Sequence, residues 1–265
     1  MRRFIPFIRR DPVVPVIRLQ GVIAASGRGT ALNDASLAPL IEKAFRKGKP
    51  AAVALVINSP GGSPVQSSLI AARIRRLADE KGIKVHAFVE DVAASGGYWL
   101  ACAADEIWVD ESSIVGSIGV ISATFGLNNF IERHGVERRI YTAGKSKSFL
   151  DPFRPENPED VARLRALQGQ IHGSFIDHVK RRRGLRLAEG ELFTGDFWTG
   201  GKACDLGLAD GIGHPVPKLK ELYGDRVRLV EHRQKLPLLA RLGARLAGDM
   251  LGFVEDRAAY ARFGL

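Results

Sequence analysis

Cysteine is scarce in this 265-residue chain: Cys102 and Cys204 are the only two, each among small or apolar neighbours and without ligand-type spacing. Neither a disulfide framework nor a zinc site is expected, and a reducing compartment is. No stretch approaches the ~20 continuous apolar residues of a membrane-spanning helix. The first ten residues mix Phe4, Ile5, Phe7 and Ile8 with arginines and Pro6, and they hold no apolar region of signal-peptide length. A cytoplasmic location is the expectation. Neither Gly-x-Gly-x-x-Gly nor a Walker A loop occurs, which disfavours nucleotide binding. No metal or other cofactor has support in the sequence.

What is present suits a globular α/β protein. The chain is 45% hydrophobic, enough for a sizeable core. Its formal charge of +10 is dispersed in short clusters, Arg2-Arg3, Arg9-Arg10, Arg73/Arg75/Arg76 and Lys180-Arg181-Arg182-Arg183. No nucleic-acid-binding signature accompanies them, so they read mostly as solvated faces, with a lean toward anionic lipid and peripheral membrane contact. Without a Pro/Gly/Ser linker or an internal repeat, the reading is one main domain over 13–235. A basic extension (1–12) precedes it, and an amphipathic helical arm (236–265) follows, with Leu239, Leu242, Leu246, Met250 and Phe253 on one side.

Strands are expected at Val13 to Leu19, Gly21 to Ala24, Ala52 to Ile57, Lys84 to Val89, Glu106 to Val109 and Arg138 to Tyr141. Helices are expected over Ser36 to Lys47, Val65 to Lys81, Phe125 to His134, Pro158 to Arg182 and Lys202 to Leu206. The alternation argues for a mostly parallel sheet covered by helices. Asn58-Ser59-Pro60-Gly61-Gly62 then falls between the carboxyl end of a strand and the amino end of a helix, where open α/β folds place ligands. Paired glycines there let backbone N–H groups approach a ligand closely, as an oxyanion hole requires.

Val92-Ala93-Ala94-Ser95-Gly96-Gly97-Tyr98 repeats the arrangement with a serine at the turn. That is a place to present a nucleophile, and equally a place for a serine that only caps a helix. A serine nucleophile needs a base. None of the six histidines lies in a comparable turn, and no Gly-x-Ser-x-Gly elbow exists, so a Ser-His-Asp triad has little support. Lysine can serve where burial lowers its pKa, and the loop from Gly144 to Phe153 offers Lys145 and Lys147.

Five segments occur together and in order: Asn58-Ser59-Pro60-Gly61-Gly62, Ala94-Ser95-Gly96-Gly97-Tyr98, Val115-Gly116-Ser117-Ile118-Gly119-Val120, Gly144-x-x-Lys147-Ser148 and Gly207-Leu208-Ala209-Asp210. In this the chain resembles the signal peptide peptidase A (SppA) family, from about Val16 to Gly213. The resemblance implies a ClpP/crotonase-like fold of ββα units and makes 13–235 a peptidase domain with a Ser-Lys dyad. Ser95 would be the nucleophile and Lys147 its general base. Ser117 would hydrogen-bond the lysine, and the Gly62 and Gly96 amides would form the oxyanion hole. Ser146 stands where the family usually has an aromatic residue or histidine.

The substrate implied is a peptide, from signal peptides or other unfolded segments, and the implied assembly is a homo-oligomeric ring in which the lysine can come from a neighbouring copy. Nucleic acid is not an expected partner. Two rivals share the superfold: a crotonase-type acyl-CoA enzyme, and a catalytically silent peptide-binding scaffold.

Overall fold

The structure, a computed structural model, describes residues 11–25, 31–46, 49–144, 147–232 and 259–265. The chain divides into two compact units, Met1–Ile118 with Ile176–Leu265, and Gly119–Phe175. The elements in order are β1 (Val13–Gln20), α1 (Asp34–Arg46), β2 (Ala52–Ser59), α2 (Pro64–Lys81), β3 (Lys84–Ala94), α3 (Gly96–Ala101), β4 (Glu106–Val109), β5 (Ile114–Gly116), α4 (Asn128–Arg133), α5 (Pro158–Arg183), β6 (Phe197–Thr199), α6 (Gly200–Asp205), β7 (Gly211–Ile212), α7 (Pro215–Tyr223) and β8 (Arg228–His232).

Among the described residues, the first unit is built on an eight-stranded sheet of order β6-β5-β3-β2-β1-β8, with β4 branching from β3 and β7 pairing with β4. Every pairing is parallel except β5 with β6. The central strand β2 is buried along its whole length, as its unbroken apolar run demands of a parallel strand covered on both faces. Alternate side chains point to opposite sides. Ala52, Ala54 and Val56 pack with Val14, Val16, Phe88 and Leu219 of α7. On the other side α1 and α2 pack together, burying Leu37, Ile41, Ile70 and Ile74.

Local chemistry fixes the helix that follows β2. Ser63 caps α2 by accepting from the Gln66 amide, and Pro64 supplies the fixed φ of a first turn. Gly82, at φ 60°, closes it in the left-handed conformation, donating back to Ala78 and Asp79.

β3 runs to Ala94, beyond the Val89 boundary read from the sequence, because Val92, Ala93 and Ala94 pair with Ile114, Val115 and Gly116. Its first half pairs with β4 and its second with β5. The strand expected at Gly21 to Ala24 reduces to bridges at Ile23, which joins Leu32 and Gly62.

The clustered arginines are less solvated than expected. Arg183 is 2% exposed and holds Asp210 through two hydrogen bonds while donating Nε–H to the Gly207 carbonyl. Arg182 donates to the carbonyls of Cys102 and Ala104 at the end of α3. Arg73 is paired with Asp34 and Glu42, and Arg75 with Asp79 and Asp105.

The second unit is held by local contacts. Leu127 donates its amide to Pro152, Leu150 to the Asp160 carboxylate, and the Arg163 guanidinium lies over the Phe149 ring. The strand expected at Arg138 to Tyr141 does not form: Arg138 instead reaches the Asp151 carboxylate and the Phe153 ring. Residues 1–10, Lys145 and most of the arm (236–258) lie outside the described residues. Among those described, no helix is long and apolar enough to cross a membrane.

Candidate active site

The carboxyl ends of β2, β3 and β5 converge on one serine. Ser95 follows the last residue of β3 with φ 51° and ψ −121°, the conformation of the first central residue of a type II′ turn, which glycine normally takes. Holding a serine there costs about 1–3 kcal/mol and persists only where the surroundings over-determine it. They do: its amide donates to Gly116 at 2.8 Å and its carbonyl receives Trp99 at 3.0 Å. Its hydroxyl makes no capping bond to α3, so the capping role open in the sequence is not taken. Ser95 is half-buried, with α3 closed behind it by the fully buried Tyr98, whose hydroxyl donates to the Leu208 carbonyl.

Ser117 stands beside it. Ala94 and Gly116 are register partners, so both serines lie one step beyond a paired position on neighbouring strands. Ser117 is also at positive φ, 52°, and is 8% exposed, with its amide donating to the Asp196 carbonyl at 2.7 Å.

The paired glycines press against this point. A Cβ on Gly61 would lie 2.8 Å from the Ser95 Cβ and 2.8 Å from the Gly96 nitrogen, and one on Gly62 would lie 2.0 Å from the Ile23 carbonyl oxygen. Gly62 and Gly96 are mutual neighbours, a Cβ on Gly96 falling 3.3 Å from the Gly62 nitrogen. Gly96 is the first residue of α3, so its N–H has no partner inside the helix. The structure thus gathers Ser95, Ser117, Gly62 and Gly96 in the first unit. Lys147 belongs to the second, where it is exposed and donates its amide to Gly144.

Two residues without a role in the sequence reading build this site. Ser59, fully buried, donates its hydroxyl to the Gly21 carbonyl at 2.7 Å and accepts from the Gly61 amide at 3.3 Å, fixing the glycine loop from below. Ser67, also fully buried, donates to the Ser63 carbonyl, and its oxygen lies 2.4 Å from where a Gly96 Cβ would be. For Ser59 the available signal is a hydroxyl close behind an apolar run, which must find a partner when buried; Ser67, between Gln66 and Ser68, carries no such signal.

Histidine, the alternative base, is engaged elsewhere at several positions. His178 stacks on Trp99 at 5.0 Å and donates Nε2–H to the Trp99 carbonyl, and burial pushes its pKa down to about 4. His86 is buried between Tyr223 and Glu106, with burial again holding it below the ordinary value. His134 and His214 bind the Phe130 carbonyl and the Asp110 carboxylate. Cys102 is fully buried against Tyr98, its thiol pushed up to about 12 by that burial, and so is no nucleophile.

The Gly207 to Asp210 segment is a brace. Burial pushes the Asp210 carboxyl up, but hydrogen bonds from Arg183 and the Ile107 amide outweigh this and hold it below its ordinary value. Gly207, at φ 70°, passes so close to the Arg186 carbonyl that a Cβ would lie 1.6 Å from its oxygen.

Known proteins are similar to this chain in sequence. A Na(+)/H(+) antiporter NhaA of Brucella melitensis is 48% identical over 286 residues, covering 100% of this chain and 39% of its own length. The chain therefore spans well under half of the first curated relatives it matches. A Synechocystis sp. protein carrying a protease name is 31% identical over 252 residues, 91% of this chain and 88% of its own. The chloroplastic serine protease SPPA of Arabidopsis thaliana is 32% identical over 211 residues, 77% of this chain and 31% of its own. The sequence pattern of peptidase family S49 matches residues 78–222, more than half of the chain and a span that takes in Ser95, Ser117 and Lys147. By that match, and by its near full-length likeness to the Synechocystis protein, the chain belongs to peptidase family S49.

Proposed function

We propose that the chain is a serine endopeptidase that cleaves unfolded or membrane-released peptides through a Ser95–Lys147 dyad. The observation that carries this reading is the strained Ser95 turn, with a hydroxyl that caps nothing and two glycine amides beside it. A neutral Lys147 takes the hydroxyl proton as Ser95 Oγ bonds to the peptide carbonyl carbon. The Gly62 and Gly96 amides receive the oxyanion. The lysine passes its proton to the leaving amine as the C–N bond breaks, and water then cleaves the acyl ester by the same groups. Ser117 orients the lysine. The serine protease name of the Arabidopsis relative supports the reaction class; the lysine's role rests on the family resemblance.

Because Lys147 is exposed in the chain, we further propose that it works within a homo-oligomeric ring. The test is casein hydrolysis by the wild type, Ser95→Ala and Lys147→Ala across a range of pH. Loss in both variants, with a wild-type rate that rises with pH as general-base catalysis requires, is expected. Activity that survives Lys147→Ala would return the histidines to the argument. Mixing the two inactive variants restores activity if the lysine acts in a neighbouring copy, and does not if it acts in its own. Turnover of an acyl-CoA that is indifferent to Ser95→Ala would select the crotonase-type reading instead.

A further inference from the structure

The β2–β3 ladder is interrupted where the site begins. Ile57 pairs with Val89 and Ser59 with Ala93, so the register shifts across Asn58. A bulge of this kind frees backbone groups and lets a strand bend. The carbonyl of Asn58 faces β1, where it accepts the Gly21 amide at 3.0 Å as the Gln20–Asn58 pairing requires, and it accepts a second bond from the Tyr260 hydroxyl, which donates at 2.7 Å across 202 residues of sequence. Asn58 leads directly into Ser59, Pro60, Gly61 and Gly62.

The same short segment reaches the other side of the site. Phe263 is 9% exposed and packs with Val92 and Ala94 of β3, beside Ile114 of β5. Its ring meets Phe197 of β6 edge-on, with centroids 5.2 Å apart. Ala94 precedes Ser95, and Gly116, which precedes Ser117, pairs with both Ala94 and Phe197. β5 and β6 have three residues each, too few to hold a ladder firmly by their own hydrogen bonds. Yet both serines at positive φ hang from the ends of β3 and β5.

We infer that residues 259–265 form a hook that positions the peptidase site, with Tyr260 and Phe263 as positioning residues for the reaction proposed above, on which this inference rests. Tyr260 pins the strand end that launches the oxyanion glycines. Phe263 clamps β3 and β5, whose ends carry the nucleophile and its neighbouring serine, together with Phe197 of β6. Neither residue touches the reacting atoms; both hold backbone that must not relax, and a displacement of about 1 Å in such backbone can cost up to about a hundredfold in rate.

The experiment uses the full chain as wild type, Tyr260→Phe, Phe263→Ala and Phe263→Leu. Three quantities are read: the rate at which a fluorophosphonate probe labels Ser95, kcat and KM on a fluorogenic peptide, and the thermal midpoint. Tyr260→Phe is expected to lower the labelling rate and kcat about tenfold while KM and the midpoint stay near wild type. Phe263→Ala lowers them further, and Phe263→Leu regains most of the loss. Labelling that is unchanged in Tyr260→Phe and Phe263→Ala, or lost only in step with the folded fraction, overturns the hook alone. Faster labelling also overturns it, because the segment would then be covering the site. A wild type that is not labelled at Ser95 overturns both the hook and the peptidase reading.

Discussion

The surroundings of Ser95 and the surroundings of Lys147 are built on opposite principles. Around Ser95, side chains are buried, glycines are packed to contact and the backbone is held in a costly conformation by a dense set of hydrogen bonds. In Gly119–Phe175, large apolar side chains face outward: Phe125 is 83% exposed, Tyr141 91%, Ile121 68% and Phe130 60%. Ser95 and the glycines beside it are therefore held by the chain's own core, whereas the segment carrying Lys147 leaves large apolar side chains exposed.

The contrast can be broken at several points. The hardest blow falls on the brace: Asp210→Ala leaves the Arg183 guanidinium buried without its partner, and chemical denaturation should report a loss of about 3–5 kcal/mol. Gly62→Ala follows, since its Cβ would meet the Ile23 carbonyl oxygen at 2.0 Å and displace the proposed oxyanion donor; turnover should fall by about 10²–10³. His178 gives a pH-dependent test. Its folded pKa of about 4 lies below the ordinary 6.5, so the native state binds fewer protons than the unfolded chain, and stability falls as pH drops through that window. At 1.36 kcal/mol per unit this amounts to about 3 kcal/mol, and His178→Gln should flatten the dependence of the thermal midpoint on pH. The smallest effect sharpens the comparison from the other side. Phe125→Ser with Tyr141→Ser should leave the midpoint within about 0.5 kcal/mol of wild type while shifting self-association measured by sedimentation; a large loss of stability would mean these side chains serve the chain's own core.

Much of the first region is legible in the sequence because its signals are local. The apolar run of β2, the glycine pair after it and the caps of α2 each follow from residue type, and the observed bounds differ from the expected ones by a residue or two. β3 was harder to read because Val92-Ala93-Ala94 has weak strand propensity and is strand only through its pairing with β5, a tertiary effect. The arginines misled for a related reason: Arg182 and Arg183 look like a charged surface until their carbonyl and carboxylate partners, far off in sequence, are in view. Ser59 escaped because a serine at a strand end carries no mark of what its hydroxyl will bind. In the second region, Arg138 to Tyr141 has a strand's composition with no neighbouring strand to pair with among the described residues, and pairing is what makes a strand.

The sheet also sets a clock. β1 lies near the start of the chain and β8 near its end, yet Val13 to Ile17 pair directly with Arg228 to His232. During synthesis at about 5–20 residues per second, the outer edge of β1 waits on the order of 10–40 s for its partner to be made. Throughout that interval it presents open hydrogen-bonding groups to any other extended chain, thinned by Pro15, which has no N–H to offer. Closure of this edge of the sheet thus waits on the emergence of Arg228 to His232, and the conditions under which that strand is made bear on whether the sheet closes on itself.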